Sequence, residues 1–274
     1  MGILTAEKVS YRYAVYRKGA TLLAVGGVSL DIAAGEFLGI IGPNGSGKST
    51  LLKLLSGSLT PEEGRVLFQG KPLSSLPQSQ VARSIAFVPQ NTYLDFPFTC
   101  REIVLMGRFP HLGWLGLEDA AGLAVVDEVM RLTRTEYLAR RPITDLSGGE
   151  QQRVILAQAL AQEGEILMMD EPTSHLDIAS QQEILDLLKS LNRDHGRTIV
   201  VVLHDLNLAA LYCDRLLLIR EGLIAAAGTP AEVITQESIA RVYGAQTLVE
   251  KNLRTALPNV VLLPAHLSDR RQDG

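Results

Sequence analysis

The chain has 274 residues, 46% of them hydrophobic and 20% charged, with a formal net charge of −4. Those proportions describe a globular protein of one large or two modest domains with a real core, and the acidic balance excludes an electrostatic drive toward DNA, RNA or anionic lipid. No apolar run approaches the roughly 18 residues that cross a bilayer, residues 1–10 lack a signal-peptide core, and Cys100 and Cys213 have no C-x-x-C spacing, so the expectation is a cytosolic chain with two buried free thiols.

Taken in chain order, short β patterns at residues 3–10, 28–32, 37–41, 65–69 and 85–88 alternate with turns over the first ninety positions. After the third, Gly42-Pro43-Asn44-Gly45-Ser46-Gly47-Lys48-Ser49-Thr50 has the form G-x-x-x-x-G-K-[ST]. An apolar run (Phe37, Leu38, Ile40, Ile41) precedes it and a helical pattern (Leu51, Leu52, Leu54, Leu55) follows, the setting a phosphate-binding loop requires. Its glycines let backbone N–H groups turn toward phosphate oxygens, and the helix adds the positive end of its dipole. Lys48 supplies a charge for the terminal phosphates and Ser49 a hydroxyl ligand for Mg²⁺. The implied ligand is a nucleoside triphosphate.

A weaker helix is predicted near 77–83, and from 99 to 141 the pattern turns helical, with Ile103, Val104 and Met106, then Leu123, Val125, Val126, Val129, Met130 and Leu132 at spacings of three and four. Beyond it, helices at 147–162, 178–192 and 206–212 alternate with strands at 166–169, 198–203 and 215–219, which predicts a mainly parallel sheet covered on both faces. Glu221-Gly222 reads as a hairpin turn, and the tail 265–274 as polar and frayed. The buried strand at 166–169 runs into Asp170-Glu171, at the end that faces the ligand crevice of such a sheet. Asp170 is placed to hold Mg²⁺ through its water shell, and Glu171 to orient an attacking water. Leu146-Ser147-Gly148-Gly149-Glu150 opens the next helix with a good N-cap and uncovered N–H groups, a second anion cradle. One triphosphate needs one cradle from one chain, so the second points to another copy of the protein sharing the nucleotide.

At these residues the chain resembles the ATP-binding cassette (ABC) transporter ATPases over nearly its full length. The resemblance implies a P-loop NTPase (RecA-like) α/β fold as a single ABC ATPase domain. Within it are an N-terminal antiparallel β subdomain, a nucleotide-binding core (1–90 and 144–264) and an inserted α-helical subdomain (91–143). It implies ATP and Mg²⁺ as ligands, with Leu146 to Glu150 as the signature that closes over ATP held by the opposite subunit of a head-to-tail homodimer. Gln90 is similar to the glutamine that touches Mg²⁺ and links core to helical subdomain, Asp177 to the loop that communicates across the dimer, and His204 to the switch histidine at the γ-phosphate. Tyr13 is the best match to the aromatic residue that stacks on adenine, with Tyr11 and Tyr16 close by.

A free-standing cassette resembles the bacterial importers, which implies hydrolysis at the cytoplasmic face of the cell membrane. Its partners would be an integral-membrane permease and, through it, a periplasmic or extracellular binding protein. Met106-Gly107-Arg108-Phe109-Pro110-His111 resembles the subfamily for iron-siderophore, haem and cobalamin uptake; another small cargo such as a metal ion is the alternative. A soluble cassette acting on nucleic acid would need a tandem cassette or long coiled coils and a basic surface, and no N-K-x-D motif marks a GTPase.

Overall fold

Period-two burial sorts the central strands onto two cores. The computed structural model describes residues 2–14, 21–90, 96–112 and 120–264. A six-stranded sheet has the order β10 (Leu223–Gly228), β9 (Arg215–Arg220), β3 (Phe37–Ile41), β8 (Thr198–Val202), β7 (Ile166–Asp170), β6 (Ile85–Val88). All its pairings are parallel except β9 with β10. Every residue of β3, β7 and β8 is buried, as expected for strands covered on both faces. Leu38 and Ile40 of β3, with Val200 and Val202 of β8, face one core; Phe37 and Ile41, with Ile199 and Val201, face the other.

The first core is closed by α1 (Lys48–Leu55) and by a second sheet of β1 (Leu4–Ala14), β2 (Thr21–Ile32), β4 (Glu63–Phe68) and β5 (Lys71–Pro72), antiparallel in the order β2-β1-β4-β5. Leu51, Leu52, Leu54 and Leu55 of α1 are all at most 1% exposed, each contributing about 2 kcal/mol of apolar burial. The second core takes α3 (Cys100–Met106), α4 (Ala120–Leu132), α5 (Gly148–Ala161), α6 (Ile178–His195) and α7 (Leu206–Tyr212). Helix α2 (Gln78–Ser84) precedes β6. The chain continues through α8 (Pro230–Val233), α9 (Gln236–Tyr243) and a separate hairpin of β11 (Thr247–Lys251) and β12 (Pro258–Leu262).

Strands at 37–41 and 85–88 and the helix at 206–212 have the expected bounds. Strand β2, expected at 28–32, starts instead at Thr21, because antiparallel pairing with β1 as far as Ala14↔Thr21 carries both strands beyond their apolar pattern. Glu221 and Gly222 make the expected turn, with φ of 53° and 79°, the positive values a tight two-residue hairpin favours. The elements α8, α9, β11 and β12 had no counterpart in the sequence reading. Cys100 and Cys213 are buried free thiols, and burial pushes both thiols up. Among the described residues no helix is long and apolar enough to cross a membrane. Tyr16, the tail 265–274 and parts of the expected helical insertion lie outside the described residues.

Candidate active site

Four parallel strands deliver their carboxy ends to one crevice. The loop 42–47 follows β3, Gln90 follows β6, Glu171 follows β7 and His204 follows β8, so sheet order converts residues more than a hundred positions apart into neighbours. A pocket of about 640 Å³ is lined by Asn44, Gly45, Gly47, Lys48, Ser49 and Thr50 on one side and by Gln90, Glu171, Ser174, His175 and His204 on the other.

The loop is set by its own backbone. At Gly47, φ is 102° and a Cβ would stand 2.1 Å from the Ala24 carbonyl oxygen, so glycine alone lets the chain pass there. Lys48 is 5% exposed, and its Nζ donates to the carbonyls of Gly42 and Pro43, each at 2.9 Å. Burial holds its ammonium below the usual lysine range, with Glu171 and Asp170 pulling the other way. Its remaining donor capacity is what a phosphate would engage.

Ser49 Oγ donates to Asp170 Oδ1 at 3.0 Å. Asp170 is 3% exposed, and burial pushes its carboxyl up, with the Ser49 hydrogen bond opposing. A buried carboxylate, a hydroxyl and a nearby side-chain amide form a hard oxygen donor set that fits Mg²⁺, and a cation would relieve the charge that burial disfavours.

Glu171 takes φ 53°, a left-handed conformation that costs a non-glycine residue roughly 1–3 kcal/mol. The turn is held by Ser174, whose N–H and Oγ both donate to the Glu171 carbonyl at 3.1 and 2.8 Å. Its effect is to aim the carboxylate into the crevice, where Gln90 Nε2 donates to Oε2 at 2.5 Å and His204 Nε2 stands 2.5 Å from Oε1. The side chain of Glu171 is only 10% exposed.

Tyr13, 38% exposed, lines the outer end of the pocket, and Tyr11 meets it edge-on with ring centroids 5.0 Å apart while packing against the first core. Leu22 and Leu23 complete this apolar end. The sequence reading missed them, because they arrive by cross-strand pairing, Tyr13 with Leu22 and Arg12 with Leu23.

The second cradle is elsewhere. Ser147 is the N-cap of α5: its Oγ accepts from the Glu150 N–H at 3.4 Å, and the Glu150 carboxylate accepts from the Ser147 N–H at 2.9 Å, a reciprocal capping box. These bonds hold the Glu150 carboxyl below its ordinary range. None of residues 147–150 lines the pocket. Gly149 instead abuts Ser180, and Asp177, exposed, caps α6 through the Ser180 N–H at 2.8 Å. The phosphate loop, Gln90, Asp170, Glu171, His204 and Tyr13 therefore converge within one copy, while Ser147, Gly148, Gly149, Glu150 and Asp177 form a separate surface.

A family model described as ABC transporter matches residues 25–174. The chain is 44% identical over 249 residues to an uncharacterized ABC transporter ATP-binding protein, YvrA, of Bacillus subtilis, covering 90% of this chain and 56% of that protein. It is 41% identical over 241 residues to the cobalamin import ATP-binding protein BtuD of Halobacterium salinarum, with 88% and 60% covered. It is 37% identical over 243 residues to the achromobactin transport ATP-binding protein CbrD of Dickeya dadantii, with 89% and 88% covered. The chain thus spans less than two thirds of the length of the first two. Among solved structures it is similar to a metal-chelate type ABC transporter in an inward-facing conformation, with TM-score 0.83, 28% identity and 97% and 98% of the two chains covered. It is also similar to a dimeric ATP-binding cassette in a post-hydrolysis state bound to ADP and Pi, with TM-score 0.73, 31% identity and 83% and 98% covered.

Proposed function

The chain belongs to the ABC transporter family as an ATP-binding cassette, and from that premise we propose that it hydrolyses ATP to drive a bacterial importer for an iron chelate (siderophore or haem) or cobalamin. The observation that carries the hydrolytic reading is the double grip on Glu171 by Gln90 and His204 at the mouth of the phosphate loop. Names of relatives that serve cobalamin and achromobactin, and the subfamily resemblance of residues 106–111, support the cargo class; a metal ion is the alternative.

Two copies would pair head to tail, each phosphate loop facing the other copy's Ser147 helix, since the pocket of one copy lacks those donors. Adenine would stack on Tyr13 against Leu22 and Leu23, and Lys48 with the loop N–H groups would hold the phosphates. Ser49 and Gln90 would hold Mg²⁺, with Asp170 acting through its water shell, and the ion would supply charge neutralisation. Glu171 takes a proton from the water that attacks the γ-phosphorus; the bond from phosphorus to the ADP oxygen breaks, releasing ADP and phosphate. His204 keeps Glu171 and the γ-phosphate aligned, since phosphoryl transfer asks chiefly for positioning. A membrane permease would insert a short helix beside Gln90, so that ATP binding biases its inward- or outward-facing state; an external binding protein would deliver cargo, with this subunit at the cytoplasmic membrane face. The net charge of −4 gives no support to a nucleic-acid partner.

Glu171→Gln tests the reading, because glutamine keeps the size of the side chain and cannot take the proton. Turnover should fall by at least about 100-fold while MgATP binding persists and an ATP-bound dimer accumulates on gel filtration. A variant that hydrolyses at the parent rate removes Glu171 from this role. Growth of a deletion strain supplied with haem, a ferric siderophore or cobalamin reports the cargo.

A further inference from the structure

The segment Met106-Gly107-Arg108-Phe109-Pro110-His111 grips the far end of the helix that begins at Ser147. At Gly107, where the end of α3 meets α5, a Cβ would stand 2.1 Å from the Gln158 carbonyl oxygen, so only glycine permits the approach. Arg108 is 6% exposed, and its Nη1 donates to the Ala161 carbonyl at 2.8 Å and to the Glu163 carboxylate at 2.5 Å. His111 Nε2 stands 2.9 Å from the Gln162 carbonyl oxygen.

Ala161 and Gln162 are the last residue and the C-cap of α5, so their carbonyls are among those a helix leaves without an internal partner. A guanidinium placed there also meets the negative end of the helix dipole. Glu163 takes φ 56°, the left-handed position usually given to glycine, and its carboxylate meets Arg108. Arg83 Nε donates to the Pro110 carbonyl at 2.7 Å, and Gln162 Nε2 donates to the carbonyls of Ile85, at 3.2 Å, and Ala82. The end of α2, the segment 106–111 and the end of α5 are therefore one knot. A groove of about 320 Å³ runs along it, with Pro89, Met106, Phe109 and Gln158 among its walls.

We infer that Arg108 and His111 are positioning residues for the nucleotide-bound dimer, acting through α5 on how Ser147 docks against the opposing copy. They fix the carboxy end of α5, and the 14-residue helix, a rod of about 20 Å, presents Ser147 at its other end. Loosening the distal anchor lets the rod tilt, and a displacement of about 1 Å at a reacting site is enough to lose alignment. The inference rests on the proposal that Ser147 faces a second copy's nucleotide.

The test uses Arg108→Lys, Arg108→Gln and His111→Gln, each combined with Glu171→Gln, and measures the dissociation constant of the MgATP-dependent dimer by sedimentation. Binding of a fluorescent ATP analogue to the single variants and their thermal midpoints are measured beside it. Nucleotide affinity should stay within about twofold of the parent, while Arg108→Gln, which loses the charge on the anchor at Ala161 and Glu163, weakens the dimer roughly tenfold. Arg108→Lys and His111→Gln should weaken it less. Unchanged dimer constants in the folded variants overturn the inference, as does a parallel loss of dimer, nucleotide affinity and thermal midpoint in all three. If the Glu171→Gln parent forms no MgATP-dependent dimer, the underlying proposal fails first and takes the inference with it.

Discussion

Asp170 meets two demands that conflict: the cation proposed for it and a buried position. At 3% exposure, its carboxyl is pushed up chiefly by burial, against the Ser49 hydrogen bond and the pull of Lys53 and Lys48. An acid whose folded pKa lies above its unfolded value weakens the fold as pH rises from the unfolded value through the folded one. Asp170→Asn removes that charge and keeps an acceptor for Ser49 Oγ, so the metal-free variant should be more stable at pH 7. The gain should vanish below about pH 4, where both forms are neutral. Thermal midpoints across this range, with turnover lost throughout, check it; a destabilised variant at pH 7 rejects the burial argument. Lys48, Ser49, Asp170 and Glu171 were readable from motif and order, because each sits at a fixed offset from an apolar strand, whereas His204 was readable only through the family resemblance. Leu22 and Leu23 were not, since only the pairing of β1 with β2 brings them beside Tyr13.

Helix caps separate stability from activity. Ser147 caps α5 and Thr235 caps α9, each accepting a backbone N–H three residues on. Ser147→Ala and Thr235→Ala should each cost about 1 kcal/mol, read as a lowered urea midpoint, yet only Ser147→Ala should lose turnover. Equal loss in the Thr235 variant would assign the effect to stability. The same scale shows why the C-terminal elements escaped the sequence reading. Helices α8 and α9 have 4 and 8 residues, and β11 and β12 have 5 each and are mostly half-buried or exposed, so no continuous apolar run marks these two strands as it marks the equally short strand at 37–41. The edge of β12 is met by a side chain: the Asn207 amide donates to the Val260 carbonyl at 3.2 Å and accepts its N–H at 2.7 Å. No local pattern announces a rung built across 53 positions.

For the whole molecule, the division of donors between two surfaces predicts that a single copy is inert. Specific turnover should rise with protein concentration and disappear in dilute, strictly monomeric solution; a constant rate per chain on dilution would mean that one copy holds a complete site. The sequence by itself determined the local parts of the proposed site: a phosphate loop between strand and helix, a carboxylate pair at a strand end and a capped, glycine-opened helix are each local, because the atoms that make them are adjacent in the chain. Tertiary structure alone decided which of these share a crevice. Sheet order set Gln90 and His204 on Glu171 across 81 and 33 positions and left Ser147 outside the pocket. Strand order and helix docking arise from long-range burial, which no run of neighbouring residues encodes.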